Sequence, residues 1–331
     1  MKIGMGLAGL VLGSAMMLGC STTPRADRSS ADADATVSRA EARAVTIRKG
    51  DGTGVVSWDE VVADMVSADV VLFGEMHGHP LGLAIAQELW EDILVYRPDA
   101  VLSMEFYERD QQLAVDDYFS DVTNREQFEK AARRNKGNNA PGHVRMLEAA
   151  KEADRPMIAA NAPRRYVTIA RKQGYDALRE LGQSQQAMFS LPIGDSEGGY
   201  QDRFLELMSG MGDHAGEEIA AGFFRSQSVW DGTMAESIVN GLELGSPVAH
   251  VVGYFHVQFG NEEGGSGLID QIRLRSDRDL KIVTIIPLAR DDQELFMGVE
   301  PEIDEDGEES GGQESDLNIA DYVVYVGAHK E

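Results

Sequence analysis

Cysteine is nearly missing from this chain. Cys20 is the only one among 331 residues, so no intrachain disulfide can staple the fold, and a lone thiol in an exported chain needs another explanation. Positive charge is short as well: 30 Lys and Arg stand against 56 Asp and Glu, a formal net charge of −26. That argues against nucleic acid as a partner, because phosphate contacts need a basic surface. No hydrophobic run suffices for a membrane span. The apolar stretch Ile3 to Leu18 falls short of the ~20 residues that a bilayer core requires. Between Asp291 and Asp316 there is no Lys or Arg at all. That stretch reads as a solvated, disordered acidic loop (residues 291–318), and Asp304-Glu305-Asp306-Gly307 lacks the ligand order of an EF-hand calcium loop.

What is present begins with delivery. Lys2, then a Gly/Ala-rich apolar run, then small residues is the layout of a secretory signal, assigned to residues 1–19. Its ending, Leu18-Gly19-Cys20, resembles a bacterial lipobox. The resemblance implies cleavage before Cys20, diacylation of its sulfur, and a lipid anchor in the bacterial cell envelope. Ser21 in place of Asp favours the outer over the inner membrane. Residues 20–43 lack apolar periodicity and read as a disordered tether.

The organising stretch is Val70-Val71-Leu72-Phe73-Gly74-Glu75-Met76-His77-Gly78-His79-Pro80: a buried strand, a glycine, three chemically capable side chains and a helix start. The unit recurs. Ala100–Met104 ends at Glu105 and Arg109, Pro156–Ala160 ends at Asn161 and Arg164, and Val248–Val252 ends at Gly253 and His256. Strands alternating with helices predict an α/β fold, a mostly parallel sheet with flanking helices, in which β–α crossovers bring strand ends to one edge. Neighbouring pairing would set Glu105 beside the Glu75–His77 loop. A hairpin over Val45–Ile47 and Val55–Ser57, a helix Trp58–Val66 capped by Ser57 and Glu60, and closing strands Lys281–Pro287 and Asp321–Val326 complete the domain. The sheet domain is assigned to residues 44–165 and 246–331. Residues 166–245, rich in Met, Gln and Gly, show no strand and read as a smaller inserted helical subdomain. Its last helix, Gln227–Leu242, carries Trp230, Met234, Ile238 and Leu242 as core.

The assembled candidates are Glu75, His77, His79, Glu105, Arg109, Arg164 and His256. His77, His79, Glu105 and His256 are a sufficient ligand set for a divalent metal such as zinc, manganese or non-haem iron. Without metal, a carboxylate-oriented imidazole can deprotonate water while an arginine stabilises negative charge, which makes Glu75, His77, Glu105, Arg109 and His256 a catalytic set for hydrolysis.

Gly74-Glu75-x-His77, Met104-Glu105-Phe106-Tyr107-Glu108-Arg109-Asp110-Gln111-Gln112, Ala159-Ala160-Asn161-Ala162-Pro163-Arg164-Arg165, Trp230-Asp231-Gly232-Thr233-Met234-Ala235, Gly253-x-x-His256 and Ala320-Asp321-Tyr322-Val323 together resemble the ChaN-like haem-binding uptake lipoproteins. The likeness runs in order from about Asp69 to Val326 and departs in the acidic insert before the last strand. It implies haem bound at a homodimer interface with a tyrosine on the iron, serving bacterial iron acquisition. Tyrosinate is a hard donor suited to ferric haem. Tyr107, Tyr166, Tyr200 and Tyr254 are the candidates for that ligand, with Arg164 and His256 as further haem contacts. The Glu-x-His loop, Glu105 and the late Gly-x-x-His also look like erythromycin esterases and the Tiki/TraB proteins, which implies hydrolysis as the alternative.

Overall fold

The computed structural model describes residues 37–194, 199–209, 217–259, 267–290, 302–303, 309–310 and 316–327. The signal, Cys20 and most of the tether and acidic loop lie outside these residues.

Strands β1 (Ile47–Lys49), β2 (Val55–Val56), β3 (Val70–Glu75), β4 (Val101–Glu108), β5 (Met157–Asn161), β6 (Val248–Gly253) and β7 (Ile282–Leu288) precede a short ribbon of β8 (Glu302–Ile303) and β9 (Glu309–Ser310). The last strand is β10 (Tyr322–Tyr325). Eight of them form one sheet in the order β2-β1-β10-β7-β3-β6-β4-β5. Pairing is parallel from β10 to β5 and antiparallel only at β1. The expected hairpin is therefore real, but the final strand does not close the sheet at an edge. It enters between β1 and β7.

β3 is buried at every residue, as a parallel strand covered on both faces must be. Val71 and Phe73 enter one apolar cluster with Leu89, Trp90 and Ile93 of the helix Pro80–Tyr96. Val70 and Leu72 enter the other, with Met234 and Ile238 of the helix Glu217–Gly241 and Leu268 and Ile272 of the helix Gly267–Arg275. Trp90 is fully buried and its indole N–H donates to Met146 O at 3.1 Å. Truncating such an anchor costs about 3–5 kcal/mol.

Three expectations change. The tether is shorter than expected at its C-terminal end, because Ser38 and Glu41 form a capping box that opens a helix, Arg39–Arg43. Arg39 and Arg43 hold Glu88 at 2.5 and 3.0 Å, and Arg43 holds Asp92 at 2.6 Å. The acidic loop contains the β8–β9 ribbon, and at its end Asp316 is buried and receives Tyr325 OH at 3.0 Å and Arg290 Nε at 2.6 Å. Finally, residues 166–245 are helical wherever described between their loops, but the long helix Glu217–Gly241 packs directly on the sheet through Met234 and Ile238. It is a layer of the α/β sandwich.

Candidate functional site

Three strand ends meet at the carboxyl edge of the sheet. The expected β3–β4 neighbours are separated by β6, which pairs with both. Glu75 stands beside Gly253 in register, and Gly253 N–H donates to Glu105 Oε2 at 2.8 Å. A β-carbon on Gly253 would sit 2.9 Å from His77 Cε1 and 3.1 Å from its Nε2. Glycine here lets the imidazole lie across the end of β6.

Glu75 is 2% exposed and gives both oxygens to imidazoles. Oε1 meets His77 Nδ1 at 3.1 Å, and Oε2 meets His143 Nε2 at 2.5 Å. Burial pushes the Glu75 carboxyl up, but His143 and then His77 outweigh it and hold the carboxylate below its ordinary range. The hydrogen bond to Glu75 raises the His77 pKa against the opposing effect of burial. His77 remains 66% exposed at its side chain. With Nδ1 engaged, its available ring nitrogen is Nε2. Phe106 stacks on His143, centroids 3.9 Å apart, and meets His77 edge-on at 5.8 Å.

A second imidazole–carboxylate pair lies behind Glu105. His256 Nδ1 is 2.5 Å from Asp231 Oδ1, and its Nε2 is 3.9 Å from Glu105 Oε1. Tyr200 OH donates to Asp231 Oδ2 at 2.7 Å and accepts from Gln227 Nε2 at 3.0 Å. Burial lowers the His256 pKa, but Asp231, aided by Glu105, more than reverses this and leaves it raised. A cleft of about 650 Å³ opens in front of Glu75, His77 and Glu105, walled by Phe106 and Trp230 and rimmed by Arg133, Lys136 and Arg164.

The family model described as haem-binding uptake, Tiki superfamily, ChaN matches residues 61–272. The chain belongs to this family. Among solved structures, ChaN of Campylobacter jejuni, which binds haem cofacially, is similar with a TM-score of 0.60 at 16% identity. That match covers 85% of this chain and 96% of that one, and it shows a shared fold. The erythromycin esterase EreC in its open conformation matches with a TM-score of 0.46 at 13% identity, over 85% of this chain and 97% of that one. No curated protein matches the chain.

The cleft of this ChaN-family chain gathers some of the expected residues and excludes others. Glu75, His77, Glu105 and Arg164 line it. His256 is 6% exposed and lies behind Glu105, outside the lining. Arg109 lines a separate groove of about 870 Å³ along the free edge of β5. There it donates to Thr233 O at 2.9 Å and Ser237 Oγ at 2.9 Å and pairs with Glu236 at 2.8 Å, so it clamps the long helix. His79 caps the helix Pro80–Tyr96: its Nδ1 accepts from Gly82 N–H at 3.3 Å while Nε2 bonds Gly327 O at 3.2 Å. This breaks the metal set of His77, His79, Glu105 and His256. Among the described residues, no cluster of three or more His, Cys, Asp or Glu is arranged to hold a metal ion.

None of the four candidate tyrosines lines the cleft. Tyr107 is 2% exposed against Phe128, and burial pushes its phenol up to about 12. Tyr166 packs in a small core with Phe189, and Tyr254 packs against the sheet's second apolar cluster. Burial, with Asp231 beside it, raises the Tyr200 phenol well above its ordinary value. For Tyr107 and Tyr200, whose burial disfavours the phenolate, and for Tyr166 and Tyr254, packed away from the cleft, the placement does not suit an iron ligand there. Sequence reasoning missed His143, Asp231 as the partner of His256, and Trp230 as a cleft wall. The Pro141 helix start places the first on a helix, but its contact with Glu75 spans 68 residues and has no local signal.

Proposed function

We propose that this protein binds haem in the Glu75–His77 cleft and serves haem or iron uptake from the bacterial envelope, held to a membrane by acylated Cys20. The observation that carries the reading is membership of a haem-binding uptake family over residues 61–272. The cleft is compatible with it. His77 would hold the iron through Nε2, because a ligating imidazole characteristically donates its other N–H to a carboxylate, and Glu75 supplies that carboxylate. Haem supplies the redox-active iron when bound. The chain's own part is to orient His77, to cover the macrocycle with Phe106 and Trp230, and to offer cations at the rim. The Leu18-Gly19-Cys20 ending supports the anchor, and the cofacial haem of the Campylobacter jejuni relative supports a homodimer in the loaded state.

The test is a haemin titration of the purified protein followed by absorbance, with its oligomeric state measured alongside. A saturable Soret band that His77→Ala abolishes supports the reading; no spectral change refutes it. A second reading rests on one observation, the carboxylate-backed His77 facing Glu105 across Gly253. Such a pair can deprotonate water for ester hydrolysis. Ester cleavage lost in Glu75→Gln would favour it.

A further inference from the structure

The polar groups around the cleft pair off unevenly. Glu75 is taken by two imidazoles. Glu105 accepts from Gly253 and lies beside His256. Glu108 accepts from the backbone N–H of Arg164 at 3.0 Å and from Arg133 at 2.9 Å, and Arg133 also meets Asp110 at 2.7 Å. Arg134 is half-buried and donates to Phe106 O, Asn138 O, Ala132 O and Gln111 Oε1. Two cations are left over. Lys136 and the Arg164 guanidinium are exposed at the mouth, and neither has a carboxylate partner among the described residues. On a chain of net charge −26, this is a local inversion of sign. Unpaired cations at the rim of a concave site attract anions that the rest of the surface repels. Arg164 also lies 5.9 Å from the Trp230 ring centroid, so the cation borders an aromatic wall.

We infer that Lys136 and Arg164 are the anion-recognition pair of this cleft and select a planar aromatic ligand that carries carboxylates. The inference rests on the haem reading and deepens it: the ligand's ring lies against Phe106 and Trp230 while its carboxylates reach the two cations. A guanidinium can receive a carboxylate through two parallel N–H donors, whereas an ammonium acts as a point charge, so Arg164 gives the stricter geometry.

The experiment titrates the full chain with haemin and with haemin dimethyl ester, which keeps the iron and ring but lacks both charges. The same titrations are run on Arg164→Gln, Lys136→Gln and the double variant. The expected result is that the ester binds the native chain on the order of tenfold or more weaker than haemin. The double variant should lose a similar factor for haemin and little for the ester. Arg164→Lys should recover part of the loss. Circular dichroism of each variant shows that the fold is intact, since both side chains are exposed. Equal binding of haemin and ester to the native chain, with a normal Soret band, overturns the recognition pair and leaves the haem reading standing. Absence of binding by either compound removes the haem reading itself and the inference with it.

Discussion

Two imidazole–carboxylate pairs lie at the same edge of the sheet and differ most in how far the histidine is buried. In Glu75–His77 the histidine side chain is 66% exposed, whereas in Asp231–His256 the histidine side chain is 8% exposed, and both carboxylates are buried. The chemistry is the same, so the difference in burial divides the labour. A charged pair removed from water depends on every hydrogen bond around it, and the closed pair has Tyr200, Gln227 and Glu105 in attendance. It is a rigid support. The open pair meets solvent at the edge of a cleft and keeps a ring nitrogen available. It is the part that can act on a ligand.

The contrast can be broken from the closed side first, where the largest effect is expected. Asp231→Ala leaves His256 and Tyr200 buried without their carboxylate and should cost about 3–5 kcal/mol, read from urea denaturation. A loss below 1 kcal/mol would show that the second pair is not structural. Gly267→Ala comes next. A β-carbon there would sit 2.3 Å from Tyr200 Cζ and 2.5 Å from Asp231 Oδ2, so overpacking should cost about 1–3 kcal/mol. His77→Ala, by comparison, should cost about 1 kcal/mol, because water from the cleft can replace the imidazole on Glu75 Oε1, while removing the proposed haem ligation. Equal destabilisation by His77→Ala and Asp231→Ala would erase the distinction drawn here. Gly253→Ala should be the mildest for stability, since the atom it meets is the end of an exposed side chain, yet it should displace His77 and weaken haemin binding.

Acidity sharpens the same comparison. The folded pKa of His256 is raised, so its contribution to stability is fully present below the unfolded value of 6.5 and is lost as pH rises through the folded value. Denaturation of the native chain and Asp231→Asn should differ most at pH 6 and converge toward pH 9. The raised pKa of His77 acts on ligand binding, because solvent screens its effect on stability. On the proposed ligation through Nε2 a proton there competes with iron, so haemin affinity should fall as pH drops through the raised value, earlier than for an unperturbed imidazole. Buried His250 works in the opposite direction. Its pKa is lowered to about 3 by burial, so its contribution is present above 6.5 and is lost as pH falls toward 3.

Much of the frame was legible from residue order. The apolar run Val70–Phe73 is a central strand because both its faces are covered, and that requirement is written in a continuous hydrophobic stretch. Ser57 and Glu60 announce their helix because a capping box is local, and the same signal at Ser38 and Glu41 marks the helix expected to be tether. The site was half legible. Glu75, His77 and Glu105 follow strand ends and were found. Arg109 also follows a strand end, yet its long side chain turns to the helix Glu217–Gly241, a partner 124 residues or more away in sequence. His79 looked like a ligand, but an imidazole just before Pro80 can cap the helix instead.

By itself the sequence determined the strands and helices, the parallel α/β class and the charge imbalance, because periodicity, capping and composition act over a few residues. Strand order lay beyond it. Whether β4 or β6 sits beside β3 depends on how the crossover helices pack, and that packing sums contacts between segments far apart in the chain. Only the tertiary structure placed Gly253 under His77, buried His256 behind Glu105, and brought His143 from a separate helix onto Glu75. The same residue types became an open donor in one place and a sealed support in another, because folding alone decides how much water each retains.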